Sequence, residues 1–207
     1  MLLLIKYTLL YGIVLMLVAL GGMFSEHSGV INIALEGIMV VGGLAGVLVT
    51  ASMPTTMAPA LIVLAAVVAA AVCGMLYSLL LAFAAINLRA DQTVGGTALN
   101  LLAPALVLFL IRLIANQNTL QMATGDSASW FMLKKSMFGY GRTDEVGFLF
   151  DTFVNKVYLA TYVCILVFII MSVILYCTRF GLRLRSCGEN PQAADSLGIN
   201  VFKMRYA

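Results

Sequence analysis

The sequence predicts an all-α protein, a polytopic bundle of transmembrane helices. Of its 207 residues, 62% are hydrophobic and 10% are charged, whereas a soluble domain carries about 25% charged residues. So few charged side chains cannot cover a water-exposed surface, but membrane lipid accepts apolar side chains. Five apolar segments have the length of a membrane-spanning helix, which is about 20 residues. These segments are residues 7–24, 33–52, 59–88, 94–115 and 157–177.

The placement of basic residues indicates how the chain is threaded through a cell membrane. The net charge of +3 is too small to suggest nucleic acid as a partner. Basic residues next to a span mark the cytoplasmic side, and residues 178–205 hold five of them directly after the fifth segment. We therefore predict that 178–205 is a cytoplasmic loop in a multi-pass protein of the cell membrane.

Counting spans back from this loop predicts the side of every other connection. Residues 87–93 and 25–32 are then inside, while 116–156, 52–58 and the N-terminus are outside. In the long outer loop 116–156, we expect a short interfacial helix that seats Trp130 and Phe131 at the lipid headgroups.

The first polar cluster, residues 25–37, lies between the first two spans. Glu36 either stabilises the N-terminal dipole of the second helix or lines a solute path, because a carboxylate in lipid is costly. His27 is the only histidine, so neither a metal site nor a cofactor is predicted. The cysteines are predicted to be small packing residues; they are Cys73, Cys164, Cys177 and Cys187.

The second polar cluster, residues 88–100, opens the fourth span. Asp91 or Thr93 can cap the start of this helix. Gly96 and Asn100 are four residues apart, so they share a helix face with Gln92 or Thr93. Such a face either joins two helices closely or presents hydrogen-bonding groups to a polar solute.

The third polar cluster, residues 178–200, contains the signals of a short capped helix. Gly188 permits a tight turn, Asn190 can cap, and Pro191 suits the first helical position. Residues 192–197 form the helix, and Gly198 suits its C-terminal end. This element is either a knob that docks on another protein or a plain basic anchor at anionic headgroups.

These three clusters resemble, in order, conserved elements of one family. Residues 178–200 resemble the cytoplasmic coupling loop of the ABC permeases that import branched-chain amino acids, simple sugars and nucleosides. Residues 25–37 resemble their SER-x-G-V-x-N-I-x-x-E-G element, with His27 in place of the usual arginine. Residues 89–102, RADQTVGGTALNLL, resemble RADQ-V-V-S-G-x-A-L-N-L-L of the simple-sugar and nucleoside branch, with Gly96 in place of the usual serine.

The resemblance implies a transport subunit that is not itself an enzyme. The sequence has no GxxxxGK[ST] phosphate loop, so ATP would be bound by separate ATP-binding cassette subunits. Further implied partners are a second permease subunit and an extracytoplasmic solute-binding protein. Residues 1–207 would form one permease domain, and we expect a fragment because such permeases continue with further spans past Ala207. The residues expected to contact the ATPase are Gly188, Glu189, Asn190, Pro191, Ala193, Ala194 and Gly198.

A path for a small polar solute, most simply a sugar or nucleoside, would need polar side chains inside the bundle. We predict that Glu36 and Asn100 face the protein interior and not lipid. The candidates for lining the path are Asn32, Glu36, Gln92, Thr93 and Asn100. Three other interpretations stay open: a branched-chain amino acid permease of the same family, an ion-coupled secondary transporter with Glu36 as proton carrier, and a membrane scaffold.

Overall fold

The computed structural model describes residues 2–53, 57–115, 132–133 and 157–206. Five long helices dominate this part of the chain, and each is long and apolar enough to cross a membrane. They are α1 Leu2–His27, α2 Leu35–Ser52, α3 Pro59–Ile86, α4 Gln92–Ala115 and α5 Leu159–Cys177. The predicted fold class is therefore confirmed, and the described residues contain five helices that could span a membrane, one in each predicted segment.

Small residues allow the central helices to pack closely. Helix α2 lies against both α3 and α4, whereas α1 lies against α5. At the α2–α3 contact, a Cβ atom added to Gly42 would lie 3.1 Å from the carbonyl oxygen of Ala70, and one added to Gly74 would lie 3.4 Å from Ile38. Close approach through glycine and alanine is the usual way in which helices associate in lipid, where no hydrophobic force drives them together.

The outer surface of the bundle is apolar. Large hydrophobic side chains point away from the neighbouring helices, including Leu101 with 79% of its surface exposed and Leu113 with 69%. Because water would destabilise such a surface and lipid does not, the exposed apolar faces agree with the membrane location that the composition predicts.

Three shorter helices follow the fifth span: α6 Arg179–Glu189, α7 Pro191–Ser196 and α8 Val201–Tyr206. Thr178 separates α5 from α6. Its hydroxyl donates to the carbonyl oxygen of Ile174 at 2.5 Å and accepts from the backbone N–H of Gly181 at 3.3 Å. A Cβ atom on Gly181 would overlap the carbonyl oxygen of Leu175, so only glycine allows the start of α6 to lie this close to the end of α5.

Two predictions about the chain on either side of the fifth helix are wrong. Gly188 does not form a tight turn, because it lies inside α6 and the chain becomes extended at Asn190. The fifth span begins at Leu159 and not at Val157, because Val157 and Tyr158 form strand β2, which pairs antiparallel with β1, Met132–Leu133. The rest of the predicted outer loop, including Trp130 and Phe131, lies outside the described residues.

Candidate functional site

A non-helical segment joins α1 to α2 at one end of the bundle, and we call residues 28–34 the α1–α2 link. Part of the link is buried: Ser28, Val30 and Ala34 are each less than 8% exposed, whereas Ile31 is 50% exposed. Buried backbone N–H and C=O groups outside a helix need other partners. Part of this need is met by Ser25, whose hydroxyl donates to the carbonyl oxygen of Val30 at 2.7 Å.

Helix α4 supplies partners for two backbone groups of the link and for one of α2. The Oε1 atom of Gln92 accepts from the backbone N–H of Ile31 at 2.7 Å. Two turns further along α4, Asn100 donates from Nδ2 to the carbonyl oxygen of Ile33 at 2.7 Å and accepts at Oδ1 from the N–H of Gly37 at 2.8 Å. These two amide side chains thus hold the link and the first turn of α2 along the surface of α4.

Two glycines make this contact possible. A Cβ atom on Gly96, which lies between Gln92 and Asn100 on the same face of α4, would come within 2.9 Å of Ile33 Cβ. A Cβ atom on Gly37 would lie 3.1 Å from Ala103 Cβ, from Asn100 Oδ1 and from the Leu99 carbonyl oxygen. The absence of a side chain at Gly96 therefore lets the link lie close to α4.

The structure decides which residue caps α4 and which residue shares the helix face of Gly96 and Asn100. Asp91 is the residue that caps this helix, because its Oδ1 accepts from the N–H groups of Thr93 and Val94 at 2.8 and 3.1 Å. Gln92, and not Thr93, shares the face of Gly96 and Asn100, while Thr93 is exposed. Both the donor and the acceptor of the Asn100 amide hydrogen-bond to backbone groups. The geometry therefore favours a structural contact between helices over a contact with a solute.

The remaining two path candidates have different surroundings. Asn32 stabilises the link itself, since its Oδ1 accepts from the N–H of Ala34 at 3.0 Å. Glu36 lies in the first turn of α2 and is exposed, so the described helices do not bury it. This position agrees with stabilisation of the helix dipole, and its role in a solute path stays a prediction.

The predicted short helix is present as α7 and has caps at both ends. Asn190 Oδ1 accepts from the N–H of Ala193 at 3.1 Å, and Pro191 occupies the first helical position. At the other end, Gly198 has a φ angle of +80°, and the N–H of Ile199 donates to the carbonyl oxygen of Ala194 at 3.1 Å. Those are the features of a glycine-terminated helix. Within α7, Ala194 is buried, whereas Ala193 is exposed.

Helix α6 packs on the end of α1 through two glycines. A Cβ atom on Gly188 would overlap the carbonyl oxygen of His27, and a Cβ atom on Gly29 would lie 3.2 Å from the Cα atom of Gly188. Gly29 has a φ angle of +83°, which other residues rarely adopt. The basic side of α6 also contacts α5, because the Arg185 guanidinium lies 5.4 Å from the centre of the Tyr176 ring.

Helix α8 fastens the same end of the bundle. Arg205 Nε donates to the carbonyl oxygen of Ser28 at 3.2 Å, and the Tyr206 hydroxyl lies 3.1 Å from Asn87 Oδ1 at the end of α3. The three segments predicted to be cytoplasmic, 25–32, 87–93 and 178–205, therefore lie together. This common position agrees with the counted topology, while the side of the membrane stays a prediction.

Sequence reasoning missed several residues that build this region. Arg205 was recognised only as a basic residue, and neither Gly29 nor Gly37 was singled out. Tyr77 was also missed, although it is 7% exposed and its hydroxyl donates to the carbonyl oxygen of Leu99 at 2.7 Å. A tyrosine in an apolar span is a usable signal, because its hydroxyl needs a partner when it is buried.

The comparisons with known proteins identify the class of this membrane protein. Residues 4–207 match the model of the family described as "Branched-chain amino acid transport system / permease component", and the chain belongs to this family. This membership and the five apolar helices agree with the predicted family and with the predicted location in a membrane that the chain crosses several times. Among the described residues, no group of three or more His, Cys, Asp or Glu side chains could hold a metal ion.

Two curated relatives are similar to nearly the whole chain. The guanosine ABC transporter permease protein NupQ of Bacillus subtilis is 44% identical, and the match covers 96% of this chain and 60% of the relative. The nucleoside ABC transporter permease protein NupC of Lactococcus lactis is 40% identical, with the same coverage of 96% and 60%. The chain thus spans about three fifths of the length of these relatives. No solved structure matches it significantly.

Proposed function

We propose that the chain belongs to the membrane-spanning permease subunit of an ATP-driven importer whose solute is a nucleoside. The observation that carries this proposal is the identity of 44% and 40%, over 96% of the chain, to permeases named for guanosine and for nucleosides. Since the matched region includes all five spans, a similar arrangement of helices and a related solute follow as the simplest expectation.

The subunit would work by alternating access. In this mechanism, rigid helix bundles rock around a central site, so that the site opens to one side of the membrane at a time. ATP would be hydrolysed by two separate ATP-binding cassette subunits, and the permease would carry out no covalent chemistry. A second permease subunit, identical or similar, would complete the path, and an extracytoplasmic binding protein would deliver the nucleoside.

Helix α7 is proposed to be the contact with the ATPase. Its caps at Asn190 and Gly198 stabilise a six-residue helix, although a helix this short is not stable by itself in water. Ala193 and Gln192 on its exposed side leave a shallow surface for a partner. Because α7 contacts α6 and α8, and α6 packs on α1, a push on this helix would reach the spans.

The direct test is uptake by the complete transporter. The full-length permease, its ATPase and its binding protein would be reconstituted in liposomes, and uptake of radiolabelled guanosine would be measured with and without ATP. We expect ATP-dependent uptake that unlabelled nucleosides inhibit and that ribose and leucine do not. Inhibition by ribose or leucine alone would assign the protein to the sugar or the branched-chain amino acid branch.

The same preparation also tests the alternative that the protein is an ion-coupled secondary transporter. A protonophore and a sodium ionophore collapse ion gradients without removing ATP. We expect guanosine uptake to continue under these conditions. Uptake that stops when the gradients collapse, with ATP still present, would contradict the proposal and would make Glu36 the first candidate for a proton carrier.

A further inference from the structure

The amide side chains of Gln92 and Asn100 already form hydrogen bonds with backbone groups. Asn100 uses its acceptor for the N–H of Gly37 and its donor for the carbonyl oxygen of Ile33. Gln92 uses its acceptor for the N–H of Ile31. A solute that bound the Asn100 amide would have to break one of these contacts, and the link would lose a partner for a buried group.

The opposite end of the α1–α2 link touches the helices that follow the fifth span. Gly29 lies against Gly188 near the end of α6, and the carbonyl oxygen of Ser28 accepts from Arg205 of α8. The link, which is only seven residues long (28–34), therefore contacts α6 and α8 at its beginning and α4 at its end. The close approach of the two glycines and the direct hydrogen bonds join the link tightly to its neighbours on both sides.

We propose that Gln92 and Asn100 are positioning residues that fasten the α1–α2 link to α4, so that the link transmits movement of α6–α8 to α4. This proposal rests on the proposed function, because it concerns how ATP hydrolysis drives transport. It assigns a different role to two side chains that the sequence analysis placed on the solute path. It also explains why glycine occurs at Gly37 and Gly96, where the link must lie close to α4.

Contact alone does not establish that movement passes along a chain of residues, so the test must measure coupling itself. The complete transporter in liposomes allows guanosine uptake, ATP hydrolysis and the KM for guanosine to be measured on one preparation. The first variant is Gln92→Leu, which removes the acceptor for the N–H of Ile31. The second is Gln92→Glu, in which a carboxylate oxygen takes the place of the amide oxygen and can still accept this hydrogen bond. Gly96→Ala separates the link from α4 without changing a polar group, and Gly43→Ala is its control, because no atom lies within 4 Å of the added methyl.

The proposal predicts loss of coupling with unchanged solute affinity. For Gln92→Leu and Gly96→Ala we expect guanosine transported per ATP hydrolysed to fall by about fivefold or more, which is the size of a typical coupling between sites. The KM for guanosine should stay the same. In Gln92→Glu, most of the guanosine transport per ATP hydrolysed should be kept. Gly43→Ala should resemble the wild type.

Each other outcome has a distinct meaning. A raised KM with an unchanged ratio in Gln92→Leu would show a solute contact and overturn the proposal. An unchanged ratio and KM in both Gln92→Leu and Gly96→Ala would also overturn it. If the wild-type transporter shows no ATP-dependent guanosine uptake, the proposed function has failed. The coupling proposal is then tested by the rate of ATP hydrolysis, which Gln92→Leu and Gly96→Ala should change and Gly43→Ala should not; equal rates in all variants would overturn it. The amount of reconstituted protein is measured for every variant, so that misfolding is separated from uncoupling.

Discussion

The side chain of Asn100 caps helix α2 from another helix: its Oδ1 accepts from the backbone N–H of Gly37 at 2.8 Å, across 63 residues of sequence. The residue before α2, Ala34, has no side chain that could cap it. The first N–H groups of a helix have no partner within the helix. The cap is therefore tertiary, and it ties the beginning of α2 to α4.

Loss of this cap should lower stability. Asn100→Leu leaves the N–H of Gly37 and the carbonyl oxygen of Ile33 without their partner, and each unsatisfied buried group costs about 1–3 kcal/mol. We expect a clear fall in the thermal unfolding temperature of the detergent-solubilised full-length permease, and reduced uptake by the protein that inserts. Thr97→Ala is the matched control, because within the part of the chain that the structure describes the Thr97 hydroxyl bonds carbonyl oxygens of its own helix, those of Thr93 and Val94. Equal unfolding temperatures for the two variants would contradict the proposed cap.

The Gly37→Ala substitution should separate α2 from α4. The added methyl would lie 3.1 Å from atoms of Leu99, Asn100 and Ala103, and overpacking of this kind costs roughly 1–3 kcal/mol. In the same helix, Gly43→Ala meets no atom within 4 Å and should stabilise by up to about 1 kcal/mol through helix propensity. Thermal unfolding of both variants measures the difference. Destabilisation by Gly43→Ala as large as that by Gly37→Ala would refute the packing explanation.

The two alanines of α7 should respond differently to a bulky residue. Ala193 is exposed, so Ala193→Phe should leave the fold intact and should uncouple ATP hydrolysis from uptake if α7 contacts the ATPase. Ala194 is 2% exposed, so Ala194→Phe should lower stability by about 1–3 kcal/mol through overpacking. Uptake and ATPase assays, together with thermal unfolding, separate the two effects. Normal ATP-driven uptake by Ala193→Phe would remove the basis for the docking proposal.

Cysteine labelling tests the sidedness of the bundle. Single cysteines at Ser136 and Ser196 are placed in a background without the four natural cysteines. An impermeant maleimide added to intact cells should label Ser136→Cys, in the long loop predicted to lie outside. Ser196→Cys, at the end of α7, should be labelled only after the membrane is permeabilised. The opposite pattern would reverse the topology of every span.

The spans and the α7 helix were predictable because their signals are local. A run of about 20 apolar residues crosses a membrane whatever its neighbours are. Asn190, Pro191 and Gly198 act on groups within a few residues of themselves, which is why the predicted helix 192–197 agrees with α7 to within one residue at each end. Helix α6 was not predicted, because its three arginines and two glycines also suit a basic connection.

The polar clusters required the tertiary structure. The sequence by itself determined that Gly96 and Asn100 share a helix face, since this follows from 3.6 residues per turn. It could not determine what that face meets, because Ile33 and Gly37 are more than 60 residues away. A polar side chain in a span satisfies its hydrogen bonds with a solute, with water or with backbone equally well. Only the packing of α2 against α4 decided that Asn100 binds the backbone of the α1–α2 link.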